Sequence, residues 1–456
     1  MNRKDMFLEE SVLFISIIKW FFLATCIGLV VGVSTSWFIR LLNFSTHYTA
    51  QYKYYFLILP VALFLSSLLI KYLAPEAKGH GTEKVIEAIH QRKSRIKAIT
   101  VPVKLATTII TIAAGGSAGK EGPAAQIGAG LSSIFASIFR FNSKDRQKLV
   151  ICGISAGFAS VFGTPIAGAI FGVEVLAVGN IFYDVLFPSF VAGIVSYQVS
   201  SSMGTEYFNT PINFVPQFSQ LFFIYVLIGA LFFGFCALLL IESLKASEKL
   251  SKKIDIWEPY KGLIGGCILI ILAFMTSTKY LGLGLETIHH ALSSTDIYTY
   301  DFLLKIVFTS ITLSFCGSGG MVTPIFFIGA TAGTFFAFMT GQNSSMFAAI
   351  GMVSVLAGAA NTPISASIMA MEFFGPQVAP YAALSCIVSY LITGHRSVYP
   401  SQMIATTKSP SIMIDKDAVM ENMDSLRIIP RPKSILTIIL YFYNLLKEKI
   451  ENFKAK

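Results

Sequence analysis

The sequence predicts an all-α fold, that of a polytopic membrane protein built from many tilted and broken helices. Three features predict it: an apolar composition, apolar spans of two distinct lengths, and a repeated motif. Of the 456 residues, 54% are hydrophobic and only 13% are charged, and the mean hydropathy is +0.66. Soluble domains carry about 25% charged residues. Half that fraction over so long a chain indicates that much of the surface faces lipid.

Several apolar spans are long enough to cross a membrane. Val12 to Val33 is almost entirely apolar and continues to Trp37, which suffices for a hydrocarbon layer of about 30 Å. A cleaved signal peptide would be shorter and would end in a small-residue cleavage site. Tyr54 to Leu73, interrupted by Pro60, and Leu221 to Ile241 are further long spans. These segments predict complete crossings.

Other apolar spans are too short to cross. Each has about 14 or 15 residues, against the roughly 20 that a crossing helix needs. They are Val101 to Ala114, Phe302 to Phe315, Ile325 to Met339 and Val378 to Ile392. Non-helical backbone at membrane depth is tolerated only inside the protein or along a cavity. The short spans therefore predict helices that stop halfway, within a thick bundle.

The chain also repeats itself. Gly163 to Glu174 resembles Asn361 to Glu372 at an offset of 198 positions, and Gly122 to Gly128 matches Thr323 to Gly329 at an offset of 201. Two matches at nearly one offset indicate an internal duplication. Transporters are often built from such repeats, with the substrate site at the repeat interface near mid-membrane. The sequence alone leaves open whether the repeats are parallel or inverted.

These boundaries divide the chain into a transport domain and a tail. The transport domain is predicted at residues 1–408, with repeats at approximately 20–205 and 215–407. Residues 409–456 form a short basic tail. Within it, Ile435 to Ile450 alternates apolar and basic residues, as an amphipathic helix on a membrane surface does.

Basic residues cluster in short segments between the apolar spans. The net charge is +10. The basic segments are Arg3-Lys4, residues 91–97, residues 247–253 and residues 427–456. Cytoplasmic loops carry an excess of Lys and Arg, so a multi-pass protein of the cell membrane with both termini in the cytoplasm is predicted. The runs are scattered and form no continuous basic face, which argues against a nucleic-acid partner.

A glycine-rich segment, Gly115 to Pro123, follows one of the short spans. Pro123 is placed where a new helix starts, because proline is favoured in a first helical turn. Free N–H groups and a partial positive charge at a helix N-terminus suit an anion. Glu121 stands at the same end, so its carboxylate can occupy the anion site and leave it when protonated.

Four other ionisable residues lie in apolar surroundings, where an ionisable group is a functional candidate by default. Glu174 and Glu372 occupy equivalent places in the repeated motif, and we interpret both as carboxylates that accept backbone N–H groups and hold loops together. Lys104 and Lys305 are interpreted as structurally paired or as reaching the membrane interface.

Two motifs resemble enzyme sites but fail on context. Gly153 to Gly157 matches a G-x-S-x-G nucleophile motif around Ser155, which requires a preceding strand and His and Asp partners. It lies instead in an apolar helical stretch. Gly119-Lys120 suggests a phosphate-binding loop, but Ala114 replaces the first glycine and Glu121 replaces the Ser or Thr. The protein is therefore predicted not to be an enzyme and to need no cofactor.

Four motifs together resemble the ClC family of voltage-gated chloride channels and chloride/proton antiporters, in its prokaryotic form without C-terminal regulatory domains. Gly119 to Pro123 is similar to the family's G-(K/R)-E-G-P signature, Gly79 to Glu83 to its G-S-G-I-P motif, and Gly320 to Pro324 to its G-x-F-x-P motif. Tyr399 falls at the position of the family's central tyrosine, late in the last membrane helix. The match covers roughly Trp20 to Thr407.

The resemblance implies a homodimer in lipid with one pore per subunit and two inverted halves. Chloride and protons are the implied partners, with chloride as substrate. Glu121 would be the external gate and would transfer protons, and the Tyr399 hydroxyl would close the inner side together with position 80. The implied anion-binding residues are His80, Gly81, Gly119, Lys120, Gly122, Pro123, Met321, Val322, Thr323 and Tyr399.

The sequence departs from the family pattern at several positions. His80 stands where serine is usual, Thr82-Glu83 replaces Ile-Pro, and Val322 replaces phenylalanine. Val175 occupies the position at which proton-transferring antiporters often carry an internal glutamate.

Three functions follow from the resemblance and these departures. The first is chloride transport gated by Glu121 and coupled to proton counter-transport. The second is a passive chloride channel, which Val175 favours. The third is a fluoride/proton antiporter, because a fluoride-selective branch of the family also departs at the first motif.

Overall fold

The computed structural model describes residues 3–207, 220–293, 299–414, 419–420, 427–429, 437 and 443. Within these residues the fold is almost entirely helical. The helices are α1 Arg3–Ala50, α2 Leu59–Leu73, α3 Thr82–Gln91, α4 Thr100–Ala113, α5 Glu121–Ile138, α6 Ser143–Phe162, α7 Pro165–Glu174, α8 Tyr183–Ser202, α9 Gln220–Lys253, α10 Glu258–Met275, α11 Leu285–Ser293, α12 Asp301–Ser314, α13 Val322–Thr340, α14 Ser344–Ala360, α15 Pro363–Phe374 and α16 Ala379–Ile392.

The long helices agree with the predicted crossings. Six segments of the described chain are long and apolar enough to cross a membrane: α1, α2 with the helical turn before it, α8, α9, α10 and α13. Pro60, expected to interrupt a span, instead marks the start of α2, where its missing N–H costs nothing. The exposed face of these helices is apolar, as in Phe14 (64% exposed) and Phe235 (67%). The multi-pass membrane architecture is thereby confirmed.

The short helices also lie where the sequence placed them. α4, α12 and α16 have 14 residues each. At 1.5 Å per residue such a helix covers about 21 Å, roughly two thirds of the hydrocarbon layer. α13 corrects the prediction, because it has 19 residues and begins at Val322, before the predicted Ile325. The polar and proline residues of its first turn hid its true start.

The eight helices α1 to α8 recur in order as α9 to α16, which confirms the internal repeat. Equivalent buried lysines make equivalent contacts. In α4, Lys104 Nζ donates to the carbonyl oxygens of Ala77 at 3.1 Å and Gly79 at 2.6 Å. In α12, Lys305 Nζ donates at 3.0 Å to each of two carbonyl oxygens in the loop before α11. Both lysines are structurally paired, as interpreted from the sequence.

Helices α7 and α15 show that the repeats are inverted. Glu174, the last residue of α7, accepts hydrogen bonds from the N–H groups of Ile364 (3.0 Å) and Ser365 (2.8 Å) at the start of α15. Glu372, near the end of α15, accepts the equivalent bonds at 3.0 and 2.8 Å from the second and third residues of α7. Each helix therefore ends beside the start of the other. The two carboxylates accept backbone N–H groups, as interpreted from the sequence, and these hydrogen bonds link the two halves.

Short paired strands are found in the chain that follows α16. β1 (Ala177–Val178) pairs in parallel with β2 (Met403–Ile404), and β3 (Ile412–Met413) pairs antiparallel with β4 (Arg427–Ile428). The predicted amphipathic helix at Ile435 to Ile450 falls almost entirely outside the described residues, and it stays a prediction, as do the domain boundaries.

Candidate anion site

The N-termini of α5 and α13 meet in the middle of the protein. Gly119 and Gly320, in the loops before these helices, form an antiparallel bridge. The Gly119 N–H donates to the Gly320 carbonyl at 2.7 Å, and the Gly320 N–H donates to the Gly119 carbonyl at 2.6 Å. The first-turn N–H groups of a helix have no intrahelical acceptors. Two such N-termini at one place create a site that attracts negative charge.

Glu121 puts its carboxylate into this site. It is the first residue of α5 and is 1% exposed. Its Oε2 accepts a hydrogen bond from the Thr323 N–H at 3.2 Å, and its Oε1 accepts one from the Thr323 hydroxyl. The carboxylate is thus bound at the start of α13 by the backbone N–H and the side chain of Thr323. A protonated carboxyl is neutral and loses the attraction of the helix end.

The first motif packs directly on the start of α5. A Cβ atom added to Gly122 would lie 2.1 Å from the His80 carbonyl oxygen, and one added to Gly81 would lie 2.4 Å from the Gly122 carbonyl oxygen. Gly81 also has φ +79°, a conformation that side chains disfavour. Only glycine fits at either position, and the contact brings His80 and Gly81 beside Gly122 and Pro123.

Tyr399 reaches the same region by a different route from the one expected. It was predicted late in the last membrane helix, but α16 ends at Ile392 and Gly394 turns the chain with φ +57°. Tyr399 follows in a loop, where its N–H donates to Ser397 Oγ at 3.0 Å. The side chain is fully buried. Its hydroxyl lies near Thr82 and within electrostatic range of Glu121.

Three further residues named in the sequence analysis lie at the starts of α5 and α13. Lys120 and Met321 are the N-cap residues of α5 and α13. Lys120 is buried and directly precedes Glu121 in the chain. Val322 begins α13 and is fully buried.

Four buried polar atoms beside this site lack hydrogen-bond partners among the described residues. They are His80 Nδ1, Thr82 Oγ1, Glu83 Oε2 and the Tyr399 hydroxyl, which we call the inner polar cluster. Buried polar atoms are nearly always partnered, so unpartnered ones grouped together mark a place for a ligand or water.

Glu83 and Ser401 are site residues that the sequence reasoning missed. The Glu83 carboxylate accepts hydrogen bonds from the Ser401 N–H at 3.0 Å and from the Ser401 hydroxyl. Glu83 was noted only as a departure from a motif. The available signal was an ionisable residue two positions after a glycine that packs on the anion site; nothing in the sequence pointed to Ser401.

Val175 and Ser155 both lie buried within the protein and contribute no reactive group to the site. Val175 is fully buried, and its carbonyl accepts from Gln402 Nε2 at 2.8 Å. Ser155 lies in the middle of α6 and donates to the Ala169 carbonyl at 3.1 Å, which excludes the nucleophile arrangement. In the part of the chain that the structure describes, no group of His, Cys, Asp and Glu residues could hold a metal ion.

Two inverted repeats that present paired helix N-termini and a buried carboxylate at mid-protein define a membrane transporter for anions. Known proteins specify the class further. The family described as voltage gated chloride channel matches residues 62–394, so this chain belongs to that family, known as ClC. The chloride/fluoride channel protein of Pseudomonas syringae pv. tomato is 36% identical over 407 residues, which cover 88% of this chain and 90% of that protein.

Two further relatives are named as ion exchangers. The H(+)/Cl(-) exchange transporter ClcA of Klebsiella pneumoniae subsp. pneumoniae is 25% identical over 348 residues, covering 70% of this chain and 72% of that protein. The crystal structure of a CLC-type fluoride/proton antiporter superposes with a TM-score of 0.81 at 29% identity, covering 85% of this chain and 98% of that one. Anion transport across the membrane is the shared activity of these relatives.

Proposed function

We propose that this protein exchanges a halide ion for protons, with chloride as the first candidate and Glu121 as both gate and proton carrier. The observation that carries the proposal is the Glu121 carboxylate bound at the N-terminus of α13 by Thr323. A carboxylate that occupies an anion site must leave for an anion to enter. Protonation supplies that release, so each movement of the gate links one proton to the anion.

The anion path runs from Glu121 to the inner polar cluster. Backbone N–H groups of Glu121 to Pro123 and of Val322 to Thr323 serve as anion ligands, and His80 and Tyr399 supply side-chain donors at the inner end. The exposed Glu248, near the basic end of α9, lies within electrostatic range of His80. Basic loops mark the cytoplasmic side. This end of the path is therefore assigned to the cytoplasm, as are both termini.

A homodimer with one pore per subunit completes the proposal. Its basis is the resemblance of the whole transport domain to the ClC family. Exposed apolar side chains on α7, α8, α15 and α16, among them Ile166, Phe187, Ile364 and Ile387, suit either lipid or a second subunit. Crosslinking in native membranes, before detergent is added, distinguishes a dimer from a monomer.

A fluoride/proton antiporter is the second candidate. The Pseudomonas relative is named for both chloride and fluoride, and the fluoride/proton antiporter structure resembles this chain along 85% of its length. A passive chloride channel is the remaining alternative, and Val175 is the residue that favours it.

Purified protein in liposomes is expected to pass chloride and to move protons against their gradient when a chloride gradient drives it. Chloride and fluoride electrodes, together with an internal pH probe, measure all three ions in one preparation. Flux of fluoride with chloride excluded would replace the first candidate by the second. Chloride flux with no uphill proton movement would leave a passive channel. Empty liposomes and the Glu121→Ala variant serve as controls for leak and for loss of the gate.

Tyr399→Ala and His80→Ala are each expected to weaken anion binding at the inner end while transport continues. Each change removes one side-chain donor, and a hydrogen bond to a charged group contributes about 1.5–3 kcal/mol. The backbone ligands at the starts of α5 and α13 remain. Anion affinity measured by calorimetry, together with flux, checks this. Complete loss of flux in a well-folded variant would contradict the assignment of these side chains to an inner gate.

A further inference from the structure

We propose that Glu83 is the proton-transfer residue on the cytoplasmic side of the anion path, and that Ser401 positions its carboxylate. The proposal rests on the proposed coupling of halide to proton transport. It starts from a gap in the proton route. Glu121 is sealed inside the protein at 1% exposure, and Val175 provides no ionisable group. Protons that reach Glu121 from the cytoplasm therefore need another carrier on the way.

Glu83 has the geometry of such a carrier. It lies in the first turn of α3, which begins directly after the Gly81 contact with Gly122. Ser401 holds Oε1 through its N–H and its hydroxyl. Oε2 is buried and has no partner among the described residues, so it is free to take up a proton. A carboxylate that is hydrogen-bonded through one oxygen and unpartnered at the other is oriented for proton transfer.

Tyr399 connects this carboxylate to the gate. Its hydroxyl lies within electrostatic range of both Glu83 and Glu121, and it is close to the Thr82 hydroxyl. Neither hydroxyl has a hydrogen-bond partner of normal geometry within the described residues. A hydroxyl can accept one proton and donate another. Thr82 and Tyr399, with water that enters the anion path, therefore form a route between the two carboxylates.

The charged groups around Glu83 allow its carboxyl group both to lose and to regain a proton. On its own helix it faces Lys84 and Glu87, whose opposite charges pair with each other at 2.6 Å. From the loop after α16 it faces the neutral Tyr399 and Ser401. No cation among the described residues forms an ion pair with the Glu83 carboxylate. No such pair therefore holds Glu83 in its ionised form.

The transfer itself conserves atoms and charge. A proton from the cytoplasm binds Oε2 of Glu83 and converts the carboxylate to a carboxyl. Relay through the hydroxyl groups then moves one proton onto the Glu121 carboxylate and restores the Glu83 carboxylate. Glu121, now neutral, releases its hydrogen bonds to Thr323, and the halide takes its place.

Glu83→Gln tests the proposal because glutamine keeps the shape of the side chain and cannot carry the proton. In liposomes the variant is expected to pass chloride or fluoride down a gradient while proton movement falls about a hundredfold, the lower end of what a positioned acid–base group contributes. Glu83→Asp, which can still ionise, is expected to retain part of the proton movement. Glu87→Gln, on the same helix and changing a partly buried carboxylate that pairs with Lys84 and Arg92, is the matched control and should keep wild-type coupling.

Ser401→Ala gives a second measurement that does not remove the carboxylate. Loss of the positioning hydroxyl is expected to lower the number of protons moved per halide ion and to shift the pH profile of proton flux, with halide flux retained. A folded Glu83→Gln protein that couples halide to protons like the wild type overturns this inference alone. A folded variant that loses halide flux as well also overturns it, because Glu83 is then part of the anion site. A wild type without proton movement overturns the proposed coupling itself, and this inference with it.

Discussion

Glu121→Gln is expected to keep halide flux and to abolish all proton movement. Glutamine has nearly the shape of a protonated glutamate, so it imitates the released gate and carries no negative charge to compete for the start of α13. The wild type is expected to speed up as pH falls, because protonation removes the carboxylate that Thr323 holds. The variant is expected to show flat pH dependence. Halide electrodes and an internal pH probe across a range of pH values measure both effects.

The control for this experiment is Glu286→Gln, which changes an exposed carboxylate in the first turn of α11. It is expected to leave coupling and pH dependence as in the wild type. A Glu121→Gln protein that misfolds, or that keeps the wild-type pH dependence, would show that Glu121 is a structural residue rather than a gate. A wild type that cannot drive protons uphill would leave the halide path in place and remove the antiporter proposal.

Glu174→Ala is expected to cause the largest loss of stability among single substitutions of the buried carboxylates. Removing the carboxylate leaves the N–H groups of Ile364 and Ser365 without acceptors at the start of α15. Each unsatisfied buried N–H costs about 1–3 kcal/mol, so a loss of roughly 2–6 kcal/mol is expected. Thermal unfolding and size-exclusion profiles in detergent measure it. Glu9→Ala, on the exposed start of α1, is the control and should behave as the wild type.

Glu372→Ala provides the comparison within the repeat. Glu372 accepts the equivalent two bonds but is only partly buried, so water can reach the freed N–H groups and the loss should be smaller. Wild-type stability of the Glu174→Ala protein, combined with altered proton movement, would instead assign Glu174 to the proton route. That result would also weaken the case for Glu83.

The membrane architecture could be predicted from the sequence alone, because composition and span length depend directly on contact with lipid. It also located the N-terminus of α5, since proline, glycine and a carboxylate in one segment have few other uses at membrane depth, whereas the start of α13 lies before the predicted Ile325. The repeat could be found from matching motifs such as Gly122 to Gly128 and Thr323 to Gly329. The interpretation of Glu174, Glu372, Lys104 and Lys305 as structural residues was confirmed by their backbone partners.

Only the tertiary structure decided the direction of the repeats and the membership of the inner polar cluster. The matching motifs do not show the relative direction of the repeats. The family resemblance implied that they are inverted, and the antiparallel packing of α7 and α15 shows it. Glu83 and Ser401 are 318 residues apart, and no local pattern predicts that the loop after α16 returns to the first turn of α3. No local pattern predicted that α16 ends at Ile392, well before Tyr399, and that Tyr399 lies in the loop that follows. What each residue can bind depended on long-range packing, whereas the chain's affinity for the membrane was already present in its local composition.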